Sequence, residues 1–328
     1  MHAVSYKEIK NSERKNLIAA ILCQSLGKMA ANLFNFTKKF SMAFTRQSVQ
    51  CISPAGLHHM SYKEWGDPRN AKVLICVHGV TRVADDFDAL AQALEDDYRI
   101  ICPDVVGRGQ SGHLSNPQLY QIPQYVSDMV TLLARANAVT VDWVGTSMGG
   151  LIGMVLASLK DNSLRKLVLN DVGPSLNFDG LKRIGDSIAQ DVKFDTFDEA
   201  ARFICDVSIS FGPHSEAQWH KIAKDVLMQN AEGKWVRHYD LSLAIPVQAT
   251  TAELAAIGEK MLWTAYDAIT CDTLLVRGAE SDLLSKATAA QMQERGPRAQ
   301  VVEIAGVGHA PTFVQQDQIA LVKEFLLR

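Results

Sequence analysis

Thr140-Val141-Asp142-Trp143-Val144-Gly145-Thr146-Ser147-Met148-Gly149-Gly150-Leu151-Ile152-Gly153-Met154-Val155 is the stretch on which the reading of this chain turns. Its first five residues predict a strand, the residues from Gly150 predict a helix, and a G-x-S-x-G pentapeptide joins the two. Taken alone the pentapeptide is a weak signal; its place between strand and helix is what strengthens it. A sharp strand-to-helix turn crowds the backbone, so small residues must flank a serine held in strained dihedrals. Such a turn lifts the hydroxyl above the sheet, at the positive end of the following helix. Ser147 is therefore the candidate nucleophile, set against the plainer reading of an N-capping serine at a glycine-rich helix start.

Outward from this stretch, strands and helices alternate. Ser48 to Ile52 and Leu57 to Glu64 read as two opening strands joined by a Ser-Pro-Ala-Gly turn. Continuous apolar runs follow at Val73 to Val77, Arg99 to Cys102, Val141 to Val144, Leu167 to Leu169, Thr273 to Val276 and Val301 to Ile304, as expected of strands buried on both faces of a parallel sheet. Helical-period segments lie between most of them, which predicts an α/β fold with a doubly wound, mostly parallel sheet. About 100 residues between the strand ending near Asn170 and the one beginning near Asp272 break the rhythm. They carry helical patterns around Leu181 to Ile188, Phe197 to Phe203 and Glu216 to Met228, and predict an inserted helical cap. The expected division is an N-terminal extension over 1–46, a core over 47–173 and 267–328, and a cap over 174–266.

Composition bounds the rest. The chain has 328 residues, 47% of them hydrophobic and 21% charged, enough apolar material for a large core. A formal net charge of -3 provides no footprint for nucleic acid. Residues 1–46 differ in kind, with eight lysines and arginines against two acids and an amphipathic spacing of apolar residues from Ile18 to Phe34. They read as a dispensable extension with Met42 as an alternative start, as a surface or membrane-contacting helix, or as a targeting leader; the segment is too charged and too short of apolar residues to span a bilayer. The six cysteines show neither CxxC nor Cys/His zinc spacing and read as reduced thiols of a cytoplasmic protein.

The ordered set formed by His78-Gly79 after a strand, Asp104-Val105-Val106-Gly107-Arg108-Gly109-Gln110-Ser111, the Gly145–Gly149 pentapeptide, Gly278-Ala279-Glu280-Ser281-Asp282 and Gly308-His309 resembles the α/β-hydrolase superfamily, over nearly all of residues 48–328. In that family the acid and then the histidine follow the serine along the chain. Of nine histidines, His309 alone stands in a loop just after a late strand and is the expected base. His58 and His59 are adjacent on a strand and point to opposite faces, which argues against a shared metal. For the acid, the resemblance favours Asp282, with Asp171 as the alternative that some relatives use and Glu280 as a third candidate. A carboxylate in this role orients the imidazole and stabilises its charged form. The backbone N–H groups of Met148 and Val80 are the expected donors to a tetrahedral oxyanion.

A serine at the turn, where dehalogenase and epoxide-hydrolase relatives have aspartate, points to acyl transfer to water. No dinucleotide, Walker or H-E-x-x-H motif is present, so neither cofactor nor metal is expected. The sequence thus predicts a serine hydrolase that cleaves carboxylic esters of small or medium acyl groups through an acyl-enzyme. The alternatives are a C–C bond hydrolase of a diketone-like substrate, with Arg183, Arg202 and Lys221 as candidate carboxylate clamps, and a catalytically silent binding protein. A small-molecule ester is the expected partner. Membrane contact, if any, is confined to the N-terminal segment.

Overall fold

A computed structural model describes residues 44–328 of the chain. The readings made for the N-terminal extension lie outside the described residues, except that Phe44, Thr45 and Arg46 already belong to the first strand. Strands β1 (Phe44–Ser53) and β2 (Gly56–Trp65) form an antiparallel hairpin. Then come β3 (Val73–Val77), α1 (Asp88–Leu94), β4 (Arg99–Pro103), α2 (Ile122–Ala136), β5 (Val141–Thr146), α3 (Met148–Ser158) and β6 (Leu164–Asn170). The long interval carries α4 (Phe178–Ile188), α5 (Phe197–Val207), α6 (Glu216–Val226), a small hairpin of β7 (Leu227–Gln229) and β8 (Trp235–Arg237), then α7 (Ala244–Gln248) and α8 (Ala252–Asp267). The chain closes with β9 (Asp272–Gly278), α9 (Lys286–Glu294), β10 (Gln300–Ile304) and α10 (Gln316–Leu327).

Eight strands form one sheet in the order β1-β2-β4-β3-β5-β6-β9-β10, parallel from β4 onward. The continuous apolar runs explain themselves here. In β3, Val73, Ile75 and Val77 join one core layer with residues of α2 and α3, while Leu74 and Cys76 join the other with α1 and α10. A strand covered on both faces has no polar side to alternate with.

One sequence reading needs correcting. The helix read over Glu216 to Met228 stops at Val226, and Leu227 opens the β7–β8 hairpin. The segment read as cap over 174–266 packs in more than one place. Helix α8 packs against α3, and Trp263 and Tyr266 enter the sheet's core layer. Helices α5 and α6 instead build a separate small core with Ala200, Ile204, Ile222, Ala223 and Val226, sealed against Val83 of the β3 loop. Buried apolar area alone does not reveal which of two cores a helix serves, so sequence periodicity could not divide the interval. Among the described residues no single helix is long and apolar enough to cross a membrane.

Candidate active site

Strand order places the chemistry. β5, β6, β9 and β10 are consecutive neighbours, so the loops that leave their C-terminal ends converge on one edge of the sheet. Ser147 follows β5 in the left-handed region, with φ 50° and ψ -115°. The glycines beside it are obligatory for contact reasons: a Cβ on Gly145 would lie 2.3 Å from the Gly149 carbonyl oxygen, and one on Gly149 would lie 1.9 Å from that of Val77. Trp143, fully buried beneath the turn, donates its indole N–H to Gly149 O at 3.0 Å.

His309 Nε2 lies 3.0 Å from Ser147 Oγ, and its Nδ1 lies 2.7 Å from Asp171 Oδ2. Asp171 follows β6, one strand over from Ser147, also with positive φ (52°), and its side chain is fully buried. Its second oxygen accepts from Gly278 N–H at 2.8 Å, and Ser281 Oγ donates to the oxygen that faces His309 at 2.6 Å. The histidine loop is fastened by Asn170 Nδ2 on Pro311 O (2.7 Å) and Ser210 Oγ on His309 O (2.9 Å). Sequence reasoning missed Asn170, Ser210 and Ser281, whose roles depend on contacts that only the folded sheet edge creates.

The placement of the acid is a correction. Asp282, first choice on the family pattern, does not reach the imidazole: its carboxylate is 52% exposed and pairs with Arg183. The chain turns after Gly278 so that Ser281, not Asp282, faces the centre, and Asp171 fills the position behind His309. Glu280 has no bond to His309 either, so of the three acids weighed only Asp171 makes that contact.

Met148 opens α3, where the first-turn amides lack intrahelical acceptors. The Gly79–Val80 turn approaches Ser147 closely; a Cβ on Gly79 would lie 3.7 Å from the serine Cβ. Two buried groups hold that turn. His78 accepts the Val105 N–H on Nε2 at 2.9 Å, so its Nδ1–H donates to Gly79 O at 2.7 Å, and burial pushes its imidazole down to about 4, keeping it neutral. Arg108, buried within the Gly107-Arg108-Gly109 run, donates Nε–H to Val80 O at 2.8 Å and lies over the Tyr125 ring.

Above Ser147 and His309 opens a cavity of about 360 Å³, walled by residues of the β3 and β10 loops and of α4, α5, α6 and β8. Its lining is mostly apolar, with Ile184, Ile188, Ile204, Val207, Phe211 and Val226. The candidate clamps read from sequence are occupied or absent: Arg183 by Asp282, Lys221 by Asp88 and Asp225, while Arg202 is exposed and outside the lining. His214, His220 and His238 are likewise not in the lining. Away from the cavity, His58 pairs with Asp128 at 3.0 Å near Cys51, whose thiol burial pushes up to about 12, whereas His59 faces outward onto Gln110 O.

A serine hydroxyl bonded to an imidazole, itself held by a buried carboxylate, can surrender its proton as it attacks a carbonyl. The family follows. A family model described as alpha/beta hydrolase fold matches residues 72–315. A 3-hydroxybutyrate-oligomer hydrolase from Cupriavidus necator is 52% identical over 280 residues, covering 84% of this chain and 96% of that one. Among solved structures, an alpha/beta hydrolase from Novosphingobium aromaticivorans superimposes with a TM-score of 0.77 at 32% identity, covering 88% of this chain and 99% of the other. The chain belongs to the α/β-hydrolase family. It is an enzyme, a hydrolase acting on ester bonds.

Proposed function

We propose that this enzyme hydrolyses short oligomeric esters of 3-hydroxy acids through an acyl-enzyme on Ser147. The observation that carries the reading is the Ser147–His309–Asp171 chain of hydrogen bonds at the floor of a small, mostly apolar cavity. His309 takes the serine proton as Oγ attacks the ester carbonyl, and Asp171 keeps the imidazole oriented and balances its charge. The N–H groups of Met148 and Val80 receive the oxyanion. His309 then returns the proton to the leaving alcohol and draws one from the water that releases the acid. No cofactor or metal is part of the scheme.

The substrate class rests on the Cupriavidus necator relative, whose name states 3-hydroxybutyrate oligomers, and on the size of the cavity, near the small end of the range for ligand sites, about 300–1,000 Å³. Inserted helices that roof the cavity act as a cap selecting the acyl group. The five described cysteines are unpaired, which supports a reducing, cytoplasmic setting. The test is direct. Fluorophosphonate should label Ser147 in the wild type; Ser147→Ala should lose labelling and at least about 10,000-fold in kcat on 3-hydroxybutyrate dimer and trimer, with unchanged circular dichroism. Hydrolysis of simple p-nitrophenyl esters with no turnover of the dimer or trimer would reject the oligomer reading.

A further inference from the structure

Four cationic side chains besides His309 line the cavity, and three are neutralised. Arg82 holds Asp86 through two bonds of 2.8 and 2.7 Å; Lys221 holds Asp88 and Asp225; Arg183 holds Asp282. Arg237, at the end of β8, has no carboxylate within ion-pair distance among the described residues. Sequence reasoning passed over it in choosing candidate clamps.

The neighbours of Arg237 account for its position but not for its charge. Nη1 donates to Ser187 O at 2.8 Å and Nη2 to Gln190 O, at the C-terminal end of α4, while Tyr239 and Phe203 present ring faces at 5.0 and 5.8 Å. Tyr239 Oη bonds Ile188 O at 3.1 Å, so this end of α4 and the strand end are tied together whether or not Arg237 takes part. Carbonyls satisfy donors; they carry no net charge to offset the cation. Nε is enclosed and meets no hydrogen-bond acceptor among the described residues. Burial, outweighing the more distant charge of Asp191, holds this guanidinium below its usual range. A half-buried cation in an apolar wall, with no carboxylate beside it among the described residues, is a costly arrangement that an anionic ligand would complete.

We propose that Arg237 binds the free carboxylate of the substrate, so that the enzyme engages oligomers by their acid end while an ester carbonyl sits at Ser147. This rests on the reading of the substrate as an oligomer of hydroxy acids, each of which ends in one carboxylate. The consequence is end-directed cleavage: a chain whose acid end is blocked loses its anchor, however well its interior ester units fit.

The experiment compares 3-acetoxybutyrate with its methyl ester as competitors of p-nitrophenyl butyrate hydrolysis by the full-length enzyme. The two differ by the charge and one methyl group. The wild type should bind the anion about 10- to 100-fold more tightly than the methyl ester, the gain expected of a charge-assisted hydrogen bond. Arg237→Gln keeps N–H donors for the helix-end carbonyls and removes the charge; the anion-to-ester ratio should fall to near one. Arg237→Lys should retain part of it. A wild type that does not distinguish the two, or that neither inhibits, or an Arg237→Gln variant that keeps the ratio, overturns the proposal and leaves Arg237 as a tie for α4. Reading a ratio removes any general loss of folding or turnover. Failure of the oligomer reading shows separately, as an intact anion preference without cleavage of the dimer or trimer.

Discussion

At the scale of the residue, the two aspartates separate what a loop position suggests from what geometry allows. Asp171 is fully buried and bonded to His309, Gly278 N–H and Ser281; Asp282 is half exposed and serves Arg183. Asp171→Asn should lower kcat on a p-nitrophenyl ester by on the order of 10,000-fold, because the amide favours the wrong imidazole tautomer. Asp282→Asn breaks an exposed ion pair worth about 0–1 kcal/mol and should change kcat less than about threefold. Steady-state kinetics on the two purified variants decides, and the reverse ranking would return the acid to the β9 loop. Whether a carboxylate lies one strand or two from the serine is a fact of strand order, invisible in a list of residues.

At the scale of the element, the β5–α3 turn and the loop after β3 carry the strain and the polarity that shape the site. Gly149→Ala drives a methyl group into the Val77 carbonyl at 1.9 Å, and backbone cannot swing aside as a side chain can. It should cost at least about 3 kcal/mol in urea unfolding, at the upper end of overpacking penalties. His78 ties the end of β3 to the loop after β4. Its imidazole, ordinarily near 6.5, is pushed down to about 4 by burial. Between those values the unfolded chain binds a proton that the folded one refuses. The stability His78 allows is therefore fully present above pH 6.5 and falls by about 1.4 kcal/mol per pH unit as the pH drops toward 4. His78→Gln should flatten this part of the profile, read as the difference in urea stability between the two proteins from pH 4.5 to 7.5; parallel profiles would show that His78 titrates normally.

At the scale of the whole molecule, the cavity exists because the inserted helices close over the sheet edge, with Val83 of the β3 loop sealed into their small core. Its walls come from the insertion and its floor from the sheet loops, so acyl preference and bond cleavage are separable. Activity on p-nitrophenyl esters should fall steeply past the length that the cavity holds, by roughly tenfold for each excess methylene. Ile204→Ala, which enlarges the wall contributed by α5, should move the optimum to longer chains while fluorophosphonate still labels Ser147. A flat chain-length profile in both proteins would show that the roof exerts no selection.

Sequence alone determined the alternation of strands and helices, the turn at Ser147 and the loop of His309, because each is a local matter: a run of apolar residues, small residues at a crowded bend, a histidine just past a strand. It reached the reaction class for the same reason, since the nucleophile and its turn are contiguous. The acid, the division of the interval between β6 and β9, and the unneutralised Arg237 were decided only by tertiary structure. Each depends on which distant segments meet. Asp171 meets His309 through the adjacency of β6 to β5, α8 joins the core by packing on α3, and Arg237 is conspicuous only once every other cation in the cavity wall is seen beside its carboxylate. Local propensity carries no information about such pairings, because charge balance and burial are properties of neighbours in space.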